Sequence, residues 1–310
     1  MLSRTADHLY WMSRYLERAE NLARMLDARH RRSLLPGSAA EEHKSCQRLL
    51  GSLGLAETYT ERHGELNATR LFDFLATDRA SGHSIASCLR AARENARAVR
   101  GTITADMWET INSTWLQTRE LGTAGSRRDH GEFIDWVKYR AHLIRGVTVG
   151  TFLRDEAFHF TRIGIYLERA DQLTRMLSSY WDEDGTPAET TDWAVLLRAQ
   201  SAFEIYRRVF RDSVTPRRAV ELFVFREDLP RSLLRCLAEV VHSLAAVRND
   251  QSATVERQAG RLHAALRFGN MDEWPDADIR RILDEYSAAF HALGNAIAST
   301  FLVASDELPG

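Results

Sequence analysis

The chain has 310 residues, 44% hydrophobic and 27% charged, with 41 basic and 43 acidic side chains and a formal charge of -2. That composition describes a globular protein able to bury a substantial core, as one large domain or two ordinary ones. It excludes the strongly basic balance of a dedicated nucleic-acid binder and advertises no anionic membrane as a partner.

Cys46, Cys88 and Cys236 are an odd number of thiols, widely spaced, with no C-x-x-C. Neither a disulfide framework nor a thiolate zinc site is expected, and a reducing cytoplasm fits best. The N-terminus "MLSRTADHLYWMSRYLERAE" carries charges throughout, and no later stretch approaches eighteen uncharged apolar residues. No secretion signal or membrane span is expected.

Six prolines, little apolar-polar alternation, and apolar residues at three- and four-residue spacing predict an all-helical chain. Its first helix contains "RYLERAENLARML" (14–26). Breaks follow at 34–40, 78–84, 122–131, 182–192, 213–216 and 268–278, each rich in Gly, Pro, Ser or Asp. Beyond the third of them, "IYLERADQLTRML" (165–177) spells nearly the same helix again, with nine of twelve positions identical between 15–26 and 166–177.

The likeness reaches further. His8 matches His159 at the same offset of 151. Leu49, Leu50, Glu57 and Tyr59 match Leu196, Leu197, Glu204 and Tyr206, and Leu71, Phe72 and Phe74 match Leu222, Phe223 and Phe225. Ser84, Cys88, Leu89, Ala98, Val99 and Arg100 meet Ser232, Cys236, Leu237, Ala246, Val247 and Arg248, and Tyr139 and Ala141 meet Tyr286 and Ala288. The expected architecture is therefore a tandem duplication of a five- to six-helix bundle with pseudo-two-fold symmetry. The repeats are 1–150 and 151–310, joined as one compact unit, and residues 101–131 have no clear counterpart.

Glu17 and Arg18 are neighbours on a helix and cannot face one another, whereas Glu20 and Arg24 have the i, i+4 spacing of a local pair. Arg18 lies among the large side chains Tyr15, Leu22 and Met25, and Arg169 among Tyr166, Leu173 and Met176. A two-fold arrangement offers each charge a partner: Glu17 to Arg169, and Glu168 to Arg18. These pairs, with Arg24, Arg175, Tyr15 and Tyr166, either fix the register of the halves or line a pocket for a carboxylate, phosphate or amine. Glu57, Glu204, Arg100 and Arg248 are further candidates from the repeat, and "LRAARENARAVR" (89–100), "FEIYRRVFRD" (203–212) and "REDLPRSLLRC" (226–236) again mix acids and arginines.

Glu156-x-x-His159 and Glu239-x-x-His242 have the spacing of dimetal bundles, but eleven histidines among many glutamates produce it by accident, and Thr5 stands where the repeat would need a second Glu156. No metal or other cofactor is therefore expected. Gly-rich phosphate loops, G-x-S-x-G and H-E-x-x-H are absent from the sequence.

"SRTADHLYWMSRYLERAENLARMLD" (3–27), "CLRAARENARAVRGTITADMWETIN" (88–112), "FTRIGIYLERADQLTRML" (160–177), "LLRAQSAFEIYRR" (196–208) and "FREDLPRSLLRCL" (225–237) resemble the bacterial alpha-E family, an all-helical domain of unknown function named for its Glu-Arg motif. One departure is Ile165, where such motifs commonly carry Arg. The resemblance implies work beside circularly permuted ATP-grasp proteins similar to carboxylate-amine ligases, often with transglutaminase-like peptidases, and it carries over only Glu17, Arg18, Glu168 and Arg169. The leading expectation is an accessory or substrate-binding subunit of such a peptide or amide ligase system, with no catalysis of its own. The alternatives are a peptide- or amine-modifying enzyme using the doubled Glu as acid and base, and a di-metal carboxylate oxidase.

Overall fold

The computed structural model describes residues 1–123 and 130–302, and among them it is all-α, with fourteen helices and no strand. The first seven are α1 (Ser3–Ser33), α2 (Ala39–Leu53), α3 (Ala56–His63), α4 (Ala68–Ala76), α5 (Ile85–Ala98), α6 (Ala105–Thr123) and α7 (His130–Thr151). The next seven are α8 (Glu156–Ser178), α9 (Thr190–Ala199), α10 (Phe203–Phe210), α11 (Pro216–Phe225), α12 (Leu233–Ala246), α13 (Ala253–Phe268) and α14 (Ile279–Phe301). Two 3₁₀ turns, Met271–Glu273 and Asp276–Asp278, lead into α14.

Local chemistry sets the boundaries. Ser38 and Glu41 form a reciprocal capping box on α2, and Asp155 accepts from the Ala157 and Phe158 amides to start α8. Ser84 caps α5 by accepting from Ser87 N at 3.0 Å, and its sequence match Ser232 caps α12 by accepting from Arg235 N at 3.1 Å. Thr215 and Pro216 open α11 with a side-chain cap and a proline in the first turn, where its missing N–H costs nothing.

The breaks expected at 34–40, 78–84, 213–216 and 268–278 separate helices, while 182–192 overlaps the start of α9 and residues 124–129 of the 122–131 break lie outside the described residues. Seven helices stand on each side of residue 155, not five or six. The excess comes from short turns that carry weak signals, such as 99–104 and 247–252. Residues 101–131, which match nothing by identity, contain α6, which follows α5 and packs on it as α13 follows and packs on α12.

α1 and α8 lie together at the centre. α1 also packs against α5, α7 and α9, and α8 against α12, α14 and α2. The helix that follows each central helix thus reaches across to the other: α9 packs on α1, and α2 packs on α8 as well as on α1. One apolar cluster runs through all of this, from Ala6 to Leu302.

At the crossing of the central helices, a Cβ on Gly164 would stand 2.5 Å from the Tyr10 carbonyl oxygen and closer still to Ser13 Oγ. Only glycine permits that approach. Farther out, the matched pair Tyr59 and Tyr206 are both buried and do one structural job. Tyr59 Oη donates to Asn67 O at 3.3 Å and accepts from Asn67 N at 3.2 Å; Tyr206 Oη donates to Ser213 O at 2.9 Å and accepts from Thr215 N at 3.0 Å.

Candidate functional site: a buried Glu-Arg cluster between the central helices

Because residues one apart on a helix point about 100° away from each other, each Glu-Arg pair splits its charges between neighbours. Arg18 Nε and Nη2 grip Glu168 at 2.7 and 3.0 Å, and Arg169 Nε and Nη2 grip Glu17 at 2.8 Å each. Both are two-pronged guanidinium-carboxylate contacts across α1 and α8. Arg18 stacks over Tyr15 at 5.5 Å and Arg169 over Tyr166 at 5.0 Å, which desolvates the flat faces of the guanidiniums while their edges stay bonded.

Beyond these pairs the symmetry lapses. Glu168 takes a second cation, Arg14 Nε at 2.7 Å, and a weaker bond from Gln172 at 3.3 Å. Glu17 has Arg231 Nη1 at 3.3 Å and Arg145 at 3.7 Å. Glu20 receives its local partner Arg24 at 2.9 Å, then Arg231 at 2.6 Å and Arg145. Arg24 also reaches Ala199 O at 2.9 Å on the far side of α9. Six guanidiniums therefore enclose three carboxylates, all three of which are 3% exposed or less.

Burial alone would raise these acids, but Arg14 and Arg18 outweigh it and hold Glu168 at about 2. Glu17 is lowered in the same way by Arg169 and Arg231, and Glu20 well below its usual range by Arg231, Arg145 and Arg24. Burial brings Arg231 down to about 10 in spite of Glu20 and Glu17, with Arg169 and Arg24 adding to the fall.

Other candidates fall elsewhere. Arg175 pairs with Asp171 at 2.9 Å, repeating the Glu20–Arg24 spacing, and Asp171 also accepts from Ser287 at 3.3 Å. Glu57 and Glu204 are exposed in the first turns of α3 and α10, where they face the positive helix end and do not join the cluster. Arg100 is exposed and lies over Trp108 at 5.3 Å, and Arg248 is bound to Glu256 at the surface. Sequence repetition at these four positions falls near matching helix ends, outside the cluster.

In the metal alternative, Glu156 is bound by the N-terminal amine at 2.6 Å, and Glu239 by Arg162 and Arg235 at 2.5 Å each. His159 and His242 do approach, with ring centroids 5.6 Å apart, but no group of three or more His, Cys, Asp or Glu among the described residues could hold a metal ion. None of the described helices is long and apolar enough to cross a membrane.

Arg14, Arg145 and Arg231 are the members that sequence reasoning does not single out. Arg231 sits in a segment noted only for mixed charge, and its match at an offset of 148 is His83, so repetition gives no hint. Arg145 meets Ala292 at the offset of 147 that aligns its helix.

Comparison with known proteins agrees with the motif at the centre of this cluster. The chain is 24% identical to an uncharacterized protein of Mycobacterium bovis and to uncharacterized proteins of two strains of Mycobacterium tuberculosis, over 99% of its own length and 37% of theirs. It thus spans little more than a third of the curated relatives it matches. No solved structure matches it. A family model described as a predicted alpha-helical domain with a conserved ER motif matches residues 1–302, and the chain belongs to that family, Alpha-E.

Proposed function

We propose that the chain is a binding module without chemistry of its own, the accessory or substrate-holding partner of a circularly permuted ATP-grasp ligase that joins carboxylates to amines. One observation carries the reading: each carboxylate of the cluster is gripped by two or more guanidiniums and held ionised. A general acid or base works best with a pKa near the operating pH, and Glu168 at about 2 is far from it. The alternative of an enzyme using the doubled Glu as acid and base has no support in this geometry. Tandem duplication of 1–150 and 151–310 is the proposed origin of the arrangement, supported by the matching helix order and by the central pairs.

The length of the relatives beyond the match suits a module that works with other segments. Co-elution of the purified chain with a circularly permuted ATP-grasp protein of the same organism tests the reading. A stable complex is expected, and two proteins that elute separately at micromolar concentrations overturn it.

A further inference from the structure

Among the positions where the two copies of the motif part, Arg14 of α1 is matched by Ile165 of α8. Arg14 is engaged on three sides. Its Nε binds Glu168, its Nη1 donates to Tyr10 Oη at 3.0 Å, and its guanidinium lies 5.1 Å from the Trp11 ring. Around Glu17, Ile165 supplies no such arm, and a narrow cleft with about 50 Å³ of free space, partly open to solvent, remains between α1, α5, α6, α7 and α8.

The cleft walls are mostly aliphatic: Met12, Leu16, Met107, Ile111, Ile144 and Ile165. The charged groups lining it are Glu17, Glu20, Arg140 and Arg145. Both acids already hold guanidiniums and have little capacity for an added ammonium. Arg140 is different. Among the described residues its partners are neutral oxygens only, Thr114 Oγ1 at 2.8 Å, Thr110 O at 2.9 Å and Ser113 Oγ at 2.6 Å, with no carboxylate. A half-buried guanidinium lacking a counter-ion, beside an apolar slot, complements an anionic head on an aliphatic tail.

We propose that this cleft binds a short aliphatic carboxylate, its chain among Met12, Leu16, Met107 and Ile111 and its carboxylate on Arg140, with Arg145 alongside. The close walls leave room for only a few water-sized groups, which favours a chain of a few carbons over a ring system. This deepens the binding-module reading by naming the ligand class, and rests on that reading only for the use made of the ligand. The carboxylate could come from a free aliphatic acid or from the C-terminal end of a peptide with an aliphatic last residue.

Isothermal titration of the full chain with hexanoate, N-acetyl-leucine and the neutral isostere hexanamide tests it. At least one acid binds, and hexanamide binds at least about tenfold more weakly than hexanoate where hexanoate is the ligand. Binding of hexanoate alone assigns the free acid, and binding of N-acetyl-leucine alone assigns the peptide end; either supports the site. Ala141→Leu, which fills the slot with aliphatic bulk, and Ile165→Arg, which restores the arm present at Arg14, each abolish uptake, while Arg140→Gln weakens the acid at least about tenfold. The proposal is overturned if neither acid binds, if hexanoate binds and hexanamide binds as tightly, or if a folded Ala141→Leu protein binds as the parent does. Because no ligase is present, failure here and failure of the co-elution experiment are separate results.

Discussion

Ser13 and Gly164 hold the same place in the two copies of the motif, and Ser13 Oγ occupies the space that a side chain on Gly164 would need. The obstacle that cannot be relieved is the Tyr10 carbonyl, which is backbone and cannot rotate away. Gly164→Ala therefore forces α1 and α8 apart, at a cost of about 1–3 kcal/mol in urea unfolding. Adding Ser13→Gly recovers only part of that loss.

Removing one charge from the cluster costs more than its net worth in the intact protein, since its partners stay behind in the core. Glu168→Gln leaves Arg14 and Arg18 without their carboxylate, and unfolding free energy should drop by about 3–5 kcal/mol. A double-mutant cycle with Arg18→Gln should give a coupling above about 1 kcal/mol, whereas an additive result would mean the contact carries no energy.

Acid should unfold the protein through the same groups. A carboxylate lowered in the folded state adds stability above its unfolded value and loses it as pH falls through the folded value. For Glu168 that window runs from 4.5 down to about 2, and the loss amounts to about 3 kcal/mol. Glu17 and Glu20 shift in the same direction and act together with it. Stability measured by denaturant titration should change little with these groups between pH 7 and 5.5 and fall steeply below 4.5, with a shallower fall in Glu168→Gln.

Two thiols report on the integrity of the core. Burial pushes Cys88 and Cys236 up to about 12, against the opposing pull of Arg18 and Arg169. Native protein at pH 8 should leave both unmodified by iodoacetamide in mass spectrometry, and urea should expose them to complete labelling. Rapid labelling of either thiol in native buffer would show that the helices α5 or α12 open readily from α1 and α8.

The central pairing was legible because adjacent opposite charges on a helix cannot satisfy each other, so a doubled Glu17-Arg18 motif demands a second helix. Helix type was equally plain from the spacing of apolar residues. The cluster's outer members were not. Glu20 reads as half of a local pair with Arg24, and only the fold brings Arg145 from α7 and Arg231 from the loop before α12 onto it. Helix number was undercounted because turns such as 99–104 lack the Gly-Pro clusters that mark the longer breaks. The repeated residues Arg100 and Arg248 lie at the surface near matching helix ends, apart from the cluster, so repetition alone does not say which residues the fold brings together.

The reach of α2 and α9 across to the opposite central helix has a consequence for biosynthesis. α1 leaves the ribosome about 150 residues ahead of α8, an interval of roughly 8–30 s at about 5–20 residues per second. Throughout that time the nascent chain holds Arg14 and Arg18 without Glu168 and Glu17 without Arg169, and α1 has neither α8 nor α9 to cover it. Such a segment is a natural client for a holding chaperone, and the last steps of assembly wait for the C-terminal half to be made.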